Sequence, residues 1–166
     1  GSDGSDISGW HRHRAGDRSW PLILYLCSAV TCLSMSALYH CFGLAMSHRW
    51  LEIFSRLDFT GIAALIYGSI FAVIYYSFYC QPRLQTIYLA LVSLMGIPKI
   101  VACTTEMYMQ NEFRHIRVMA FLSFGFLGIV PMIHALALTE PGSEEEEQTW
   151  RLAYHVLVMG IAYLMG

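Results

Sequence analysis

The sequence is poor in charge. Only 13% of its 166 residues are charged, whereas soluble domains usually carry about 25%. The charged side chains lie in short separate segments and form no basic face, so nothing in the sequence supports nucleic acid as a partner. The five cysteines form no CxxC pair, and we expect them to be buried as small apolar side chains.

Long apolar runs make up most of the sequence, and 56% of the residues are hydrophobic. A helix needs about 20 apolar residues to cross a bilayer, and the first four runs reach that length. We therefore predict an all-α, polytopic membrane protein, embedded in a lipid bilayer. Its five apolar helices are predicted over residues 20–46, 57–79, 84–103, 118–138 and 150–166.

The two ends of the chain indicate a fragment. The sequence begins with Gly1-Ser2-Asp3 and stops at Gly166 inside an unfinished apolar run. Residues 1–19 are polar and include a basic patch, which predicts a disordered tail or a severed loop. Residues 20–166 are then a partial transmembrane domain.

Spans joined by short loops must alternate in direction, which places segments 47–56 and 104–117 on one face of the membrane, called side A. The opposite face is side B. The arginines of these side A segments are Arg49, Arg56, Arg114 and Arg117. Positive residues favour the cytoplasm, so side A is predicted to be cytoplasmic. The arginines of the tail oppose this assignment, and we discount them because an upstream helix would change what that tail is.

Ionisable residues inside a span are costly, so each is a candidate site. His40 lies near the side A end of the first span, and Asp58 is the second residue of the next span. An antiparallel helix pair is expected to bring them to one depth. Ser36 precedes His40 by four residues and shares its helix face. The three groups are equally consistent with a metal or proton site and with a simple hydrogen-bonded pair.

Two further patterns concern packing and the other histidines. Gly61, Ala64 and Gly68 recur at helical spacing, which predicts close approach of a neighbouring helix. A zinc site needs three or four protein ligands. His134 and His155 lie toward side B, too far from His40 to share its metal. They could approach each other, but we expect each to be satisfied by a partner near a helix end.

Four motifs together indicate a family. They are S-A-L-Y-H at 36–40, S-R-L-D-F-T-G-I-A-A-L-I-Y-G-S at 55–69, Y-Y-S-F-Y-C at 75–80 and I-V-P-M-I-H at 129–134. In this order and spacing the sequence resembles the progestin and adipoQ receptor family, which includes the adiponectin receptors and their plant heptahelical relatives. The resemblance covers residues 25–166.

This resemblance implies a seven-helix bundle with a cytoplasmic N-terminus and a zinc ion just inside the cytoplasmic leaflet. The five predicted spans would be its second to sixth helices. The resemblance makes His40 a zinc ligand, Asp58 the residue that positions a water molecule at the zinc, and Ser36 a supporting hydrogen-bonding group. The two other histidine ligands belong to the family's last helix, which this chain lacks, so we expect the fragment to bind zinc weakly or not at all.

Three functions follow from the resemblance. The first is a multi-pass receptor, in the plasma membrane, whose lipid or extracellular protein ligand changes helix packing. The second is a zinc-dependent lipid amidase similar to membrane ceramidases, with Asp58 as the catalytic residue and Ser36 in support. The third is a structural zinc without catalysis. A transporter is disfavoured because the spans lack a set of charges at the midplane.

Overall fold

The computed structural model describes residues 5–43, 45, 47–139, 142 and 144–165. They form helices α1 (Ser5–Phe42), α2 (His48–Ser77), α3 (Pro82–Cys103), α4 (Glu106–Met109), α5 (Arg114–Leu127), α6 (Ile129–Leu138) and α7 (Glu144–Met165). A 3₁₀ turn over Asn111–Phe113 precedes α5. The prediction of an all-α polytopic protein is confirmed.

Four of these helical stretches are long and apolar enough to cross a membrane: Ser19–Phe42, His48–Ser77, Pro82–Cys103 and Arg114–Leu138. They correspond to the first four predicted spans. Residues 150–165 of the fifth predicted span lie within α7, which is helical but is not among the four, and residue 166 lies outside the described residues. Helix α7 begins with consecutive glutamates, so its apolar part is short.

Helix α2 corrects the prediction of a loop over 47–56, because it begins at His48. Apolar side chains such as Trp50 and Ile53 continue the helical pattern through the segment, and its charges can lie outside the hydrocarbon core while the backbone stays helical. The link between α1 and α2 is therefore short. Asp58 consequently lies in the third turn of α2 and not at its start.

Other boundaries also differ from the prediction. Helix α1 begins at Ser5 and runs through most of the segment predicted as a disordered tail or severed loop; Pro21 lies inside it and removes one backbone hydrogen bond without ending it, because the fixed φ of proline is compatible with a helix. The predicted span 118–138 is split at Gly128 into α5 and α6. Pro131 explains the break, because it has no N–H to donate to the carbonyl of Leu127.

Helix α2 occupies the centre of the bundle and contacts α1, α3, α5 and α6. Half of its apolar stretch is buried, compared with 6% for that of α1. The buried core consists of Ile70, Ile74, Phe78, Val92, Phe124 and Ala135. Large apolar side chains elsewhere face outward, and Leu94 is 72% exposed. Such surfaces are stable against lipid or further helices and not against water.

Side chains at the side B end of this core confirm the expectation for the two histidines there. The Tyr88 hydroxyl and His134 Nδ1 are hydrogen-bonded at 2.7 Å, and Phe78 packs against both rings. His155 Nδ1 lies 2.6 Å from the carbonyl of Arg151, one turn earlier in α7. Each histidine therefore has a local partner.

The bond between Tyr88 and His134 joins α3 to α6, and Tyr88→Phe removes it without changing the ring. We expect a loss of about 1 kcal/mol of stability, the usual net value of one hydrogen bond. Thermal denaturation in detergent measures it. Tyr154→Phe is the matched control, because Tyr154 is 65% exposed on α7. Equal melting temperatures for the two variants would contradict the prediction.

Candidate functional site

Helices α1 and α2 pack antiparallel through two glycines of α2. A Cβ atom on Gly61 would lie 2.9 Å from Cys32 Cα, and one on Gly68 would lie 3.5 Å from Tyr25 Cα. Both glycines are buried, so the predicted close approach of a helix at this face is confirmed. The two contacts also fix the register of the antiparallel helices. Residue 61 of α2 lies level with residue 32 of α1, and residue 68 lies level with residue 25.

The register shows where the predicted site residues lie. It places Asp58 level with Met35, and half-buried Ser36 is the next residue of α1, about 1.5 Å farther along the helix axis. Asp58 is also half-buried, and it precedes by three residues Gly61, which packs on Cys32, so it lies on the face of α2 that contacts α1. Asp58 therefore faces α1 and not the lipid.

His40 lies farther toward side A than the sequence predicts. In this register it is level with residue 53, so it is offset from Asp58 by about 7 Å along the helix axes, at 1.5 Å per residue. It is exposed in the last turn of α1, with its ring 5.0 Å from that of Tyr39. The prediction of one common depth holds for Ser36 and Asp58, whereas His40 is a little more than one turn away.

The direction of the side chains reduces this offset. Side chains on a helix lean toward its N-terminus. Because α1 and α2 are antiparallel, His40 leans toward side B and Asp58 leans toward side A. The two side chains therefore lean toward each other from their different levels.

The turn of α2 that carries Asp58 is held on its other faces as well. Arg56 points away from α1, and its Nη2 lies 3.0 Å from Glu106 Oε1 in α4 and 3.8 Å from Glu52 Oε2. The Thr60 hydroxyl donates to the Arg56 carbonyl at 2.7 Å. Arg56 and Thr60, with Thr104 at the end of α3, line a shallow pocket of about 140 Å³. The ion pair also shows that the two segments predicted on side A lie at one end of the bundle.

Arg117 is the buried charged residue of this region, with 7% of its surface exposed. Its Nη1 donates to the carbonyls of Tyr108 at 2.9 Å and Gln110 at 3.4 Å. Its guanidinium carbon lies 4.9 Å from the ring centroid of Phe59, which also stacks on Phe121. Arg117 thus connects the segment between α3 and α5 to the residue next to Asp58.

The same segment is packed against the bundle at Tyr108. Burial and, to a smaller extent, the thiol of Cys103 raise the pKa of the Tyr108 hydroxyl, whereas Arg117 lowers it. A raised pKa keeps the phenol neutral at every physiological pH. The segment that the sequence predicts as a cytoplasmic loop is joined to α2 through Arg117, which donates to the Tyr108 carbonyl and lies over Phe59.

The available donors fit part of a zinc site. Within the part of the chain that the structure describes, no group of three or more His, Cys, Asp or Glu side chains could hold a metal. His40 is exposed and offers one imidazole nitrogen, and Asp58 offers a carboxylate one turn away. A zinc site needs three protein ligands or more, so these residues do not form a complete one by themselves.

Some features of this region were missed by the sequence analysis. Arg56 and Arg117 were considered only as positive charges that indicate side A. Nothing local in the sequence connects Arg56 to Glu106, which is 50 residues away. Nothing in the neighbouring sequence indicates that Arg117 is buried, because its hydrogen-bond partners are backbone carbonyls. The cysteine prediction was only partly right: Cys32 and Cys103 are buried, but Cys27, Cys41 and Cys80 are exposed.

The chain is similar to several known proteins. It is 34% identical over 147 residues to heptahelical transmembrane protein 5 of Arabidopsis thaliana, covering 89% of this chain and 38% of that protein. It is 33% identical to the adiponectin receptor protein of Drosophila melanogaster, covering 86% of this chain and 31% of that protein. For progestin and adipoQ receptor-like protein 1 of Caenorhabditis elegans, the identity is 33%, and the coverage is 86% of this chain and 32% of that protein.

The chain thus spans about a third of the length of the curated relatives it matches. The family model described as "Haemolysin-III related" matches residues 6–166. This range contains all four motifs that carry the resemblance and all four helical stretches able to span a membrane. The chain therefore belongs to the haemolysin-III related family, together with these adiponectin receptor-like membrane proteins.

Proposed function

We propose that this chain is the central part of a multi-pass receptor in the plasma membrane, with a zinc site near the cytoplasmic leaflet. The observation that carries the proposal is the position of Asp58 inside the bundle, facing α1 at the level of Ser36 and one turn from His40. An ionisable residue inside a span indicates function by default. The named relatives, among them an adiponectin receptor protein, support the receptor class.

In this proposal His40 is the zinc ligand that the chain contributes, and the other ligands come from elsewhere in the full-length protein. With zinc bound, Asp58 would position a water molecule, and Ser36 would support Asp58 by hydrogen bonding. The metal would join the helices that contribute its ligands. A lipid or extracellular protein ligand signals by changing the packing of α1 on α2, and segments 47–56 and 104–117 report the change to the cytoplasm.

Metal content of the purified full-length protein tests the zinc site. We expect about one equivalent of zinc in the wild type, as for a resident structural or catalytic metal, and its loss in His40→Ala, which removes one ligand. His48→Ala is the matched control, because His48 lies in a segment predicted on side A of the membrane, as His40 does, and its side chain is 87% exposed. Unchanged zinc in His40→Ala would remove His40 from the site.

A lipid amidase is the second candidate, and the half-buried carboxylate of Asp58 favours it, because amide hydrolysis requires a general base and a carboxylate can serve as one. It predicts release of fatty acid from ceramide by the wild-type full-length protein. Asp58→Ala should abolish the release while zinc remains bound. If the wild type releases no fatty acid, with or without added ligands, the lipid amidase hypothesis is excluded.

A further inference from the structure

The segment between α3 and α5, residues 104–113, is attached to α2 by two separate arginines. Arg56 of α2 pairs with Glu106, whose side chain is 81% exposed. Arg117 of α5 is buried and donates to two backbone carbonyls of the segment, those of Tyr108 and Gln110. An exposed pair contributes little to stability, so the contacts of Arg117 dominate the attachment.

The contacts of Arg117 lead to Asp58 through one residue. The guanidinium lies over the ring of Phe59, which is adjacent to Asp58 in α2. Successive residues of a helix point about 100° apart, so Phe59 faces α5 while Asp58 faces Cys32 of α1. A rotation of this turn that moves Phe59 away from Arg117 also changes the direction in which Asp58 points, because both residues belong to the same turn.

The attachment of Arg117 is also costly to break. A buried guanidinium that loses its partners leaves a desolvated charge, which is strongly unfavourable. The planar guanidinium of Arg117 can donate to two carbonyl oxygens and lie over an aromatic ring at the same time. A lysine ammonium cannot reproduce this arrangement. Arg117 therefore holds segment 104–113 and the Phe59 turn of α2 in one arrangement.

We propose that Arg117 is a positioning residue for Asp58: it clamps segment 104–113 onto Phe59 and so fixes the turn of α2 that presents Asp58 to α1. The importance of Asp58 rests on the proposed function. The clamp itself does not depend on zinc, and it can be measured without metal, ligand or activity.

Cys32 is a native reporter of the contact between α1 and this part of α2, because it is 7% exposed and packs against Gly61, one turn from Asp58. The experiment uses the full-length protein in membranes with its other cysteines replaced by alanine, and it follows alkylation of Cys32 by N-ethylmaleimide. In Arg117→Met we expect labelling about tenfold faster, because loss of two hydrogen bonds to a charged group makes local opening easier. Arg117→Lys should be intermediate, because it keeps the charge over Phe59.

Two controls make the result decisive. Arg114→Met removes the same charge from an exposed position of the same helix and should leave the labelling rate unchanged. A second reporter, Val92→Cys without Cys32, lies in the core, where Val92 is 2% exposed, and should stay protected in Arg117→Met.

Three results would overturn the proposal. The first is unchanged labelling of Cys32 in Arg117→Met, and the second is equal acceleration in Arg114→Met. The third is loss of protection at both reporters, which would show general unfolding and not local positioning. If His40→Ala retains its zinc while Arg117→Met exposes Cys32, the zinc proposal fails and the clamp stands.

Discussion

Gly61→Leu should separate α1 from α2 and destabilise the protein more than a substitution on the outer surface. The Cβ atom would lie 2.9 Å from Cys32 Cα and 3.4 Å from Cys32 Cβ. A backbone atom cannot move aside as a flexible side chain can, so α1 must shift as a whole. Overpacking of this kind typically costs about 1–3 kcal/mol. We expect a lower melting temperature in detergent and less folded protein on size-exclusion chromatography.

Gly125→Leu is the matched control for Gly61→Leu. A Cβ atom on Gly125 would meet nothing within 4 Å, and its helix, α5, also lies in a predicted span. This variant should keep the wild-type melting temperature or exceed it, because leucine favours a helix more than glycine does. Equal behaviour of the two variants would mean that α1 does not pack closely on α2 at Gly61.

Gly96→Leu should disrupt the place where α2, α3 and α5 meet. A Cβ atom on Gly96 would lie 2.6 Å from Tyr67 Cδ2 and 2.9 Å from Phe124 Cζ. Phe124 is 3% exposed and has little space to move. Tyr67 is held by a hydrogen bond of 2.9 Å between its hydroxyl and that of Ser93. Both rings are thus constrained, and we expect a loss of about 1–3 kcal/mol or more.

Thermal denaturation of Gly96→Leu and Gly96→Ala measures this effect. The alanine variant places only the Cβ atom against the two rings and should lose less stability than the leucine variant. Gly125→Leu serves again as the control. A melting temperature for Gly96→Leu equal to that of wild type would contradict the close contact of Gly96 with Tyr67 and Phe124.

The fold class could be predicted because the bilayer constrains each segment separately. Every polar backbone group in lipid must be satisfied, so an apolar run of sufficient length forms a helix whatever its neighbours are. Four of the five predicted spans satisfied this condition. The glycine pattern at Gly61 and Gly68 was also predictive, because close helix packing depends on small residues at regular spacing.

Helix ends were less predictable, because the end of an apolar run marks where the hydrocarbon core ends and not where the helix ends. The polar segment at 47–56 was predicted as a loop because its charges cannot lie in lipid, yet a helix can project beyond the hydrocarbon core. This difference moved Asp58 from the start of α2 to its third turn. It also changed the level at which Asp58 meets α1.

The contacts of segment 104–113 could not be predicted from sequence patterns. Arg117 makes its hydrogen bonds to backbone carbonyls, which every residue has, so the sequence does not distinguish its partners. The ion pair of Arg56 with Glu106 joins residues far apart in the chain. Only the packing of α3 and α5 on α2 brings these groups together.

Thiol cross-linking tests most directly whether Asp58 faces α1 at the level of Ser36. In the full-length protein without other cysteines, Ser36→Cys is paired with Asp58→Cys and, separately, with Phe59→Cys. Phe59 is adjacent in sequence but faces α5. A short bifunctional maleimide should join residues 36 and 58 readily and residues 36 and 59 poorly. Equal yields, or a higher yield for residues 36 and 59, would contradict the site on which the proposed function depends.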